Sequence, residues 1–474
     1  MNSIKYNIMK KYITKLVNII NTDDLKEINK HKRIINLAFL PDKVLFAYES
    51  TFSLTAQLTL SKKPFLFDII DNDREALCAY KLHLSQSSDE ILSFIEARVF
   101  KTLSPAEDRA IGCMLGMAIG DSLGAPFEFM PYRPGGVPVS TIGLDKPLKD
   151  SSNNPFRIKL GQWTDDTSMG LCLADSLLAT NFQLDPLDLM LRFYAWWYLG
   201  YNNAFSLDDA RGSKSSVGLG GSIGASLDMF KQKGMAFTDS GDKNTSGNGS
   251  IMRLAAVPIL HHNDEIEAAR IARIQSYTTH KGIEAAECAA LMAIIIVRAI
   301  NASGKPEERK NSVLDSLATY TCISCPAVQH LARSEAEPDG NIDRDWRWKR
   351  LPAGAHAFAP SRVKLNPGYV GSYAMDALAM SLHCIYATDT AVKAMLLAAN
   401  MRGDSDTVAA ITGQIAGAIY GSNTLPIDWV NLVELWHGYD GRIANLAHCL
   451  FHRKPALRDL QPVRVDSGTS GWFL

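Results

Sequence analysis

Two short clusters combine carboxylates and hydroxyls more densely than a helix start requires. Thr164-Asp165-Asp166-Thr167 precedes an apolar run (Met169, Leu171, Leu173, Leu177, Leu178). About 240 residues later, Gly403-Asp404-Ser405-Asp406-Thr407 opens another (Val408, Ala409, Ala410, Ile411, Ile415). Threonine and aspartate are good N-caps, and acids near a helix start interact favourably with its dipole. One capping residue suffices for that. If the two helix starts meet, Asp165, Asp166, Asp404 and Asp406, with Glu128 as a fifth acid, concentrate negative charge that partial positive helix ends cannot offset. Oxygen-only donors, these carboxylates with the Thr164 and Thr407 hydroxyls, suit hard cations such as Mg²⁺, Mn²⁺ or Ca²⁺ rather than Zn²⁺. Two divalent ions would bring the cluster close to neutrality, and a pair about 3.5–4 Å apart orients a water and stabilises the oxygens of a displacement.

The elements that must position these groups are helices. Glu128 lies just beyond an apolar segment carrying Gly112, Gly116, Gly120 and Gly124 at intervals of four, which reads as a bare face admitting a second helix closely. Asp121, beside the third glycine, reads as structural. The segment opens at Ser104-Pro105-x-Glu107, with a capping serine, proline at the first helical position and a box glutamate. That start is taken as a domain boundary. Beyond it, apolar residues recur at periods of three and four around 105–123, 166–180, 186–199, 265–300, 372–386, 390–400 and 406–420, with almost no strand signal, so residues 104–474 are expected to be mainly α-helical.

Two polar stretches, about 204–250 and 334–368, are too long for simple connections and are candidate binding loops. The first ends in Gly247-Asn248-Gly249-Ser250, whose backbone could approach a diphosphate and offer N–H donors. His280 follows a polar Ser276-Tyr-Thr-Thr segment and precedes a helix. In the second stretch, Trp346 and Trp348 among basic residues read either as a partner-facing patch or as aromatic anchors.

Residues 1–103 differ in texture. A lysine-dotted amphipathic stretch is followed by β-like runs (33–40, 44–47, 53–60, 65–70) and a helix opening with Ser87-x-x-Glu90, the pattern of a small mixed α/β domain.

Composition bounds the partners. In 474 residues, 49 Lys+Arg against 50 Asp+Glu give a formal charge of −1, which excludes nucleic-acid binding by bulk basicity. The longest apolar run, Cys288 to Val297, is too short to span a bilayer, and no secretory signal is visible. The eight scattered cysteines, mostly within apolar helical patterns, fit a reducing, cytoplasmic setting. Cys322-x-x-Cys325 lacks a second Cys or His pair at zinc spacing.

Six segments in order carry a resemblance: Gly112-Cys-Met-Leu-Gly116-Met-Ala-Ile-Gly120-Asp121-Ser-Leu-Gly124-Ala-Pro-Phe-Glu128, Trp163-Thr-Asp-Asp-Thr167, Gly247-Asn-Gly-Ser-Ile-Met-Arg253, Tyr277-Thr-Thr-His280, Gly368-Tyr369-Val370 and Gly403-Asp-Ser-Asp-Thr407. Over about 104–450 the chain resembles the ADP-ribosylglycohydrolases, including the dinitrogenase-reductase-activating glycohydrolase type. The resemblance implies an orthogonally packed all-helical fold around two Mg²⁺ or Mn²⁺ ions. By the same likeness Thr164, Asp165, Asp166, Asp404, Asp406 and Thr407 would hold the metals. Glu128 would stand beside them near the scissile ribose, with Asp165, Asp166 and Asp406 also in the catalytic set. Gly247, Asn248, Gly249, Ser250, His280, Gly368 and Tyr369 would line the ADP-ribose groove. At Met401-Arg402-Gly403 the family often has two glycines before its aspartate, so Arg402 either crowds that loop or brings a cation toward the metals.

Two functions follow as expectations. One is metal-dependent removal of ADP-ribose from a modified protein side chain, arginine foremost. The other, drawn from likeness to immunity-type members with an N-terminal extension, is neutralisation of a cognate ADP-ribosyltransferase toxin by occlusion through residues 1–103. Lys5, Lys10, Lys11 and Lys15, with no acid among residues 1–20, suit a groove on an acidic partner.

Overall fold

The computed structural model describes residues 103–131, 144, 154–205, 208, 210–239, 246–319, 322–338, 344–350, 369–436 and 442–453. The expected mixed α/β domain at the N-terminus and Gly368 lie outside them. Helix α1 (Pro105–Gly124) starts as its sequence dictates: Ser104 Oγ accepts from the Glu107 amide at 3.2 Å, and Pro105 occupies a position needing no amide. Then come α2 (Asp165–Ala179) and α3 (Pro186–Leu199), the latter capped by Asp185, which accepts from Leu187 N at 2.9 Å. Next is α4 (Gly221–Lys233), inside a stretch read as loop. Its glycine-rich start, Gly220-Gly221-Ser222-Ile223-Gly224, has low helix propensity, which masks it.

After α5 (Ala256–Leu260), the single helix expected over 265–300 is two, α6 (Glu265–Ser276) and α7 (Ile283–Asn301). Local hydroxyls make the break: Thr278 Oγ1 donates to Gln275 O at 2.7 Å, competing with the helical ladder, and Gly282 restarts it. The chain continues through α8 (Pro306–Ser316), α9 (Pro326–Arg333), α10 (Ala374–Tyr386), α11 (Ala391–Asn400), α12 (Ser405–Tyr420), α13 (Ile427–Leu435) and α14 (Arg442–His452). Among the described residues, β-pairing is limited to two isolated bridges, Gly247 with Tyr373 and Ala336 with Asp345.

At the centre α1 and α12 run antiparallel with almost no side chain between them. A Cβ on Gly112, Gly116, Gly120 or Gly124 would stand 2.4, 2.0, 2.1 and 2.1 Å from the carbonyl oxygens of Gly417, Gly413, Ala409 and Ser405 respectively. Each step of four on α1 thus meets a step of four back along α12, and Gly413 and Gly417 answer from the other side. The spacing that read as a bare helix face is that face. α1 with its following turn, Pro105–Phe127, is long and apolar enough to cross a membrane by length and composition, yet it is wholly buried inside the fold.

Trp346 and Trp348 are buried, and their indole N–H groups donate to Glu337 Oε1 and Leu331 O at 2.7 and 2.8 Å. They are anchors, and the partner-facing alternative does not hold. Cys325 is buried at the start of α9, Cys322 is exposed, and among the described residues neither joins a metal-capable group.

Candidate metal centre and cavity

The antiparallel register delivers the acids. Because Gly124 at the end of α1 lies on Ser405 at the start of α12, Ser405 Oγ donates to Gly124 O at 2.8 Å, and the turn through Pro126 carries Glu128 to Asp404 and Asp406. Backbone bonds fix the crossing: Phe129 N to Gly403 O and Gly403 N to Met130 O, both 2.9 Å. Asp404 N donates to Val370 O at 2.8 Å, which brings Tyr369 alongside. Asn248 Nδ2 then reaches both Gly371 O and Asp404 Oδ2, at 2.8 and 3.0 Å.

The second cluster is attached through Asp121. Its carboxylate accepts from the amide and hydroxyl of Thr164 (2.9 and 2.8 Å) and of Thr167 (2.9 and 2.7 Å), so α2's first turn is tied to α1. Neither Thr164 nor Asp404, the residues before α2 and α12, makes a side-chain capping bond. Capping therefore does not account for these clusters. Two acid triads result, Asp121–Asp166–Asp406 and Glu128–Asp404–Asp406, each with one oxygen per residue inside 4.8 Å of the others, and Asp406 shared. Asp121, read from the sequence as structural, both ties α2 to α1 and stands in one of these triads.

The five acids of these triads, and Asp165 as a sixth, are buried and resist ionisation. Burial is the largest cause for Glu128, Asp165, Asp166 and Asp406, whose carboxyls are pushed well above the usual range, and neighbouring acids add to it, Asp406 and Asp404 on Glu128, Asp121 and Asp406 on Asp166. Burial raises Asp121 and Asp404 as well, against the threonine bonds to the first and the Asn248 bond to the second. Three carboxylates crowd one hydroxyl: Thr164 Oγ1 lies 2.8 Å from Asp121, 3.1 Å from Asp406 and 3.2 Å from Asp166. With a single proton it can satisfy only one of them. Asp166 Oδ1 and Glu128 Oε2 are buried without any hydrogen-bond partner. Converging oxygen-only donors, these two atoms without partners among them, fit hard divalent cations.

Over this centre opens a cavity of about 610 Å³ lined by Glu128, Asp165, Asp404, Asp406 and Thr407 at its floor. Gly247, Asn248, Gly249, His280 and Tyr369 line its walls. Ser250 is fully buried, its carbonyl accepting from Gln275 Nε2 at 2.7 Å. His280 is buried and held neutral, its pKa lowered to about 3 by burial and then by the Arg253 charge. Arg253 itself, brought down to about 9 by burial, donates to Gln275 Oε1 at 3.1 Å and Thr279 Oγ1 at 2.7 Å, and so fixes the segment that presents His280. Arg402, with a left-handed φ of 64°, is buried and does not line the cavity; its Nε has no partner.

One wall comes from within the stretch 204–250 expected to form a binding loop, at residues not singled out from the sequence. Gly218 to Ile223, leading into α4, faces the floor, and Gly218 (φ +86°) is irreplaceable because a Cβ there would lie 1.9 Å from Asp165 Oδ1. Its signal was the run Gly218-Leu-Gly-Gly-Ser222. Phe129, stacked on Tyr369 at 5.7 Å, and Phe156 complete the rim.

A family model described as ADP-ribosylglycohydrolase matches residues 102–459. The ADP-ribosylarginine hydrolase Tri1 of Pseudomonas putida (strain GB-1) is 29% identical over 361 residues, 76% of this chain and 82% of that protein. The ADP-ribosyl-[dinitrogen reductase] glycohydrolase of Rhodospirillum rubrum is 26% identical over 330 residues, 69% of this chain and 91% of that protein. A solved structure titled "ADP-ribosylglycohydrolase-related protein complex" superposes with a TM-score of 0.53 at 28% identity, covering 74% of this chain and 99% of that one.

Proposed function

Because the chain belongs to the ADP-ribosylglycohydrolase family, we propose that it hydrolyses the N-glycosidic bond between ADP-ribose and an arginine side chain of a modified protein. The observation that carries this reading is the meeting of Glu128, Asp166, Asp404 and Asp406 beneath a cavity walled by glycines and His280. The arginine linkage is supported by the activity named for the Pseudomonas relative.

In this reading Thr164, Asp165, Asp166, Asp404, Asp406 and Thr407 would hold two Mg²⁺ or Mn²⁺ ions, with Asp121 and Glu128 beside them. When bound, the ions supply charge neutralisation and Lewis acidity. The chain's own groups do the rest. Breaking the bond from the anomeric carbon to the guanidine nitrogen develops oxocarbenium character, which the floor carboxylates stabilise. Water adds its oxygen to that carbon, and a proton must reach the departing nitrogen. Glu128 is placed for this transfer: it faces the cavity and its Oε2 is unpartnered. The glycine walls admit the diphosphate closely, and neutral His280 offers a hydrogen bond without placing a charge there.

The test compares ADP-ribose release from arginine-linked and serine-linked ADP-ribosylated proteins, with Mg²⁺ and with chelator. Faster, Mg²⁺-dependent release from arginine is expected; release from serine alone would overturn the linkage.

A second reading is favoured by the family match starting only at residue 102. Residues 1–103 would dock onto a cognate ADP-ribosyltransferase and neutralise it by occlusion. A full-length Asp406→Ala chain would then still inhibit that transferase while failing to reverse modification already made. Equal binding of the transferase to the full chain and to one starting at Ser104 would remove this reading.

A further inference from the structure

A second group of metal-capable side chains lies at the far end of α1. Glu107 sits in its first turn, and Asp121 fourteen residues on, so at 1.5 Å per residue the group is about 20 Å from the carboxylate centre. Glu107 occupies the capping-box position after Ser104, yet only half of the box forms: Ser104 accepts from the Glu107 amide, while the Glu107 carboxylate turns to α14. There His448 Nδ1 and His452 Nε2 approach the same oxygen, Glu107 Oε1, at 2.7 and 3.2 Å. The two histidines are four residues apart on one helix face, with ring centroids 4.7 Å apart. One atom of each of the three residues falls within 4.8 Å of the others.

A capping glutamate diverted from its own helix start, and two imidazole nitrogens aimed at one of its oxygens, have a simple common purpose. A cation entering here would replace the contacts of the two imidazole nitrogens to Glu107 Oε1, taking a lone pair from each nitrogen and one from the carboxylate. Two nitrogens and one oxygen form the donor set of a borderline cation, Zn²⁺ above all, and contrast with the oxygen-only donors at the other end of α1. Glu107 is buried, His448 is largely so, and His452 is 35% exposed on its side chain, so the point is walled by protein and reachable from solvent. We propose that Glu107, His448 and His452 form a Zn²⁺-class site that clasps the C-terminal helix α14 to the start of α1, separate from the catalytic centre.

The test titrates Co²⁺ into the full chain with excess Mg²⁺ holding the carboxylate centre. About one equivalent should bind with the visible absorption of a nitrogen-ligated site and be displaced by Zn²⁺. That absorption should vanish in His448→Ala/His452→Ala, weaken in Glu107→Gln and persist in Asp406→Ala. His452→Ala alone, altering the most exposed ligand, serves if the double variant misfolds. No nitrogen-ligated absorption in the unaltered chain, or absorption unchanged by the histidine substitutions, would overturn the proposal.

Discussion

Asp121 accepts from both the amide and the hydroxyl of Thr164, at 2.9 and 2.8 Å, and thereby ties the start of α2 to a helix more than forty residues earlier. The bond places Asp166 against Asp406, since the same Thr164 hydroxyl lies within 3.2 Å of both. Asp121→Asn keeps the shape but removes charge and part of the acceptor capacity for four donors. It should cost about 1–3 kcal/mol of stability and weaken metal binding, checked by urea unfolding and Mg²⁺ titration. Stability and Mg²⁺ affinity equal to the parent chain would show that Asp121 positions nothing.

The α1–α12 contact makes a steric prediction. A Cβ at Gly116 would lie 2.0 Å from the Gly413 carbonyl oxygen, so Gly116→Val must separate the two helices and should cost about 3 kcal/mol or more. Gly221→Ala, where nothing lies within 4 Å of the added carbon, should leave the melting temperature nearly unchanged. Equal melting temperatures for the two variants would contradict the packing.

These two residues also show what could be read in advance. The period of four from Gly112 to Gly124, and the doubled acid–hydroxyl clusters, announced a close helix pair and a centre at helix starts, because helical spacing and excess carboxylate are visible in one dimension. The register that lays Gly124 on Ser405 is not, since it depends on backbone contact between segments some 280 residues apart. Asp121 reads as structural in the sequence because its nearness to Asp166 and Asp406 appears only in three dimensions. Helix α4 hid behind its glycines, and the break at Tyr277–Gly282 hid within an otherwise continuous apolar pattern. Glu107 looked like a cap until α14 supplied two histidines.

His280 gives a pH prediction. Its folded pKa lies near 3 against an ordinary value of 6.5, so the unfolded chain binds a proton that the folded one refuses. Stability is unaffected by this group above about pH 6.5 and falls as pH drops from there toward 3. His280→Gln should flatten that part of the stability–pH curve, measured by denaturant unfolding at a series of pH values. An unchanged slope would mean that His280 is not held neutral.

Mg²⁺ or Mn²⁺ should raise the melting temperature of the unaltered chain and chelator should reverse the rise, because an ion that binds only the folded state adds about 2.7 kcal/mol at a hundredfold excess over its dissociation constant. Asp406 belongs to both acid triads, so Asp406→Ala should abolish the shift. A shift of the same size in that variant would place the ions elsewhere.

Whether the acids joined across α1, α2 and α12 perform the hydrolysis is read from ADP-ribose release from an arginine-ADP-ribosylated protein in Mg²⁺ by the full chain beside its Asp166→Ala and Asp406→Ala variants. Release by the parent chain and none above background from either variant is expected, with the helical circular dichroism of all three alike. Full release by both variants would contradict it.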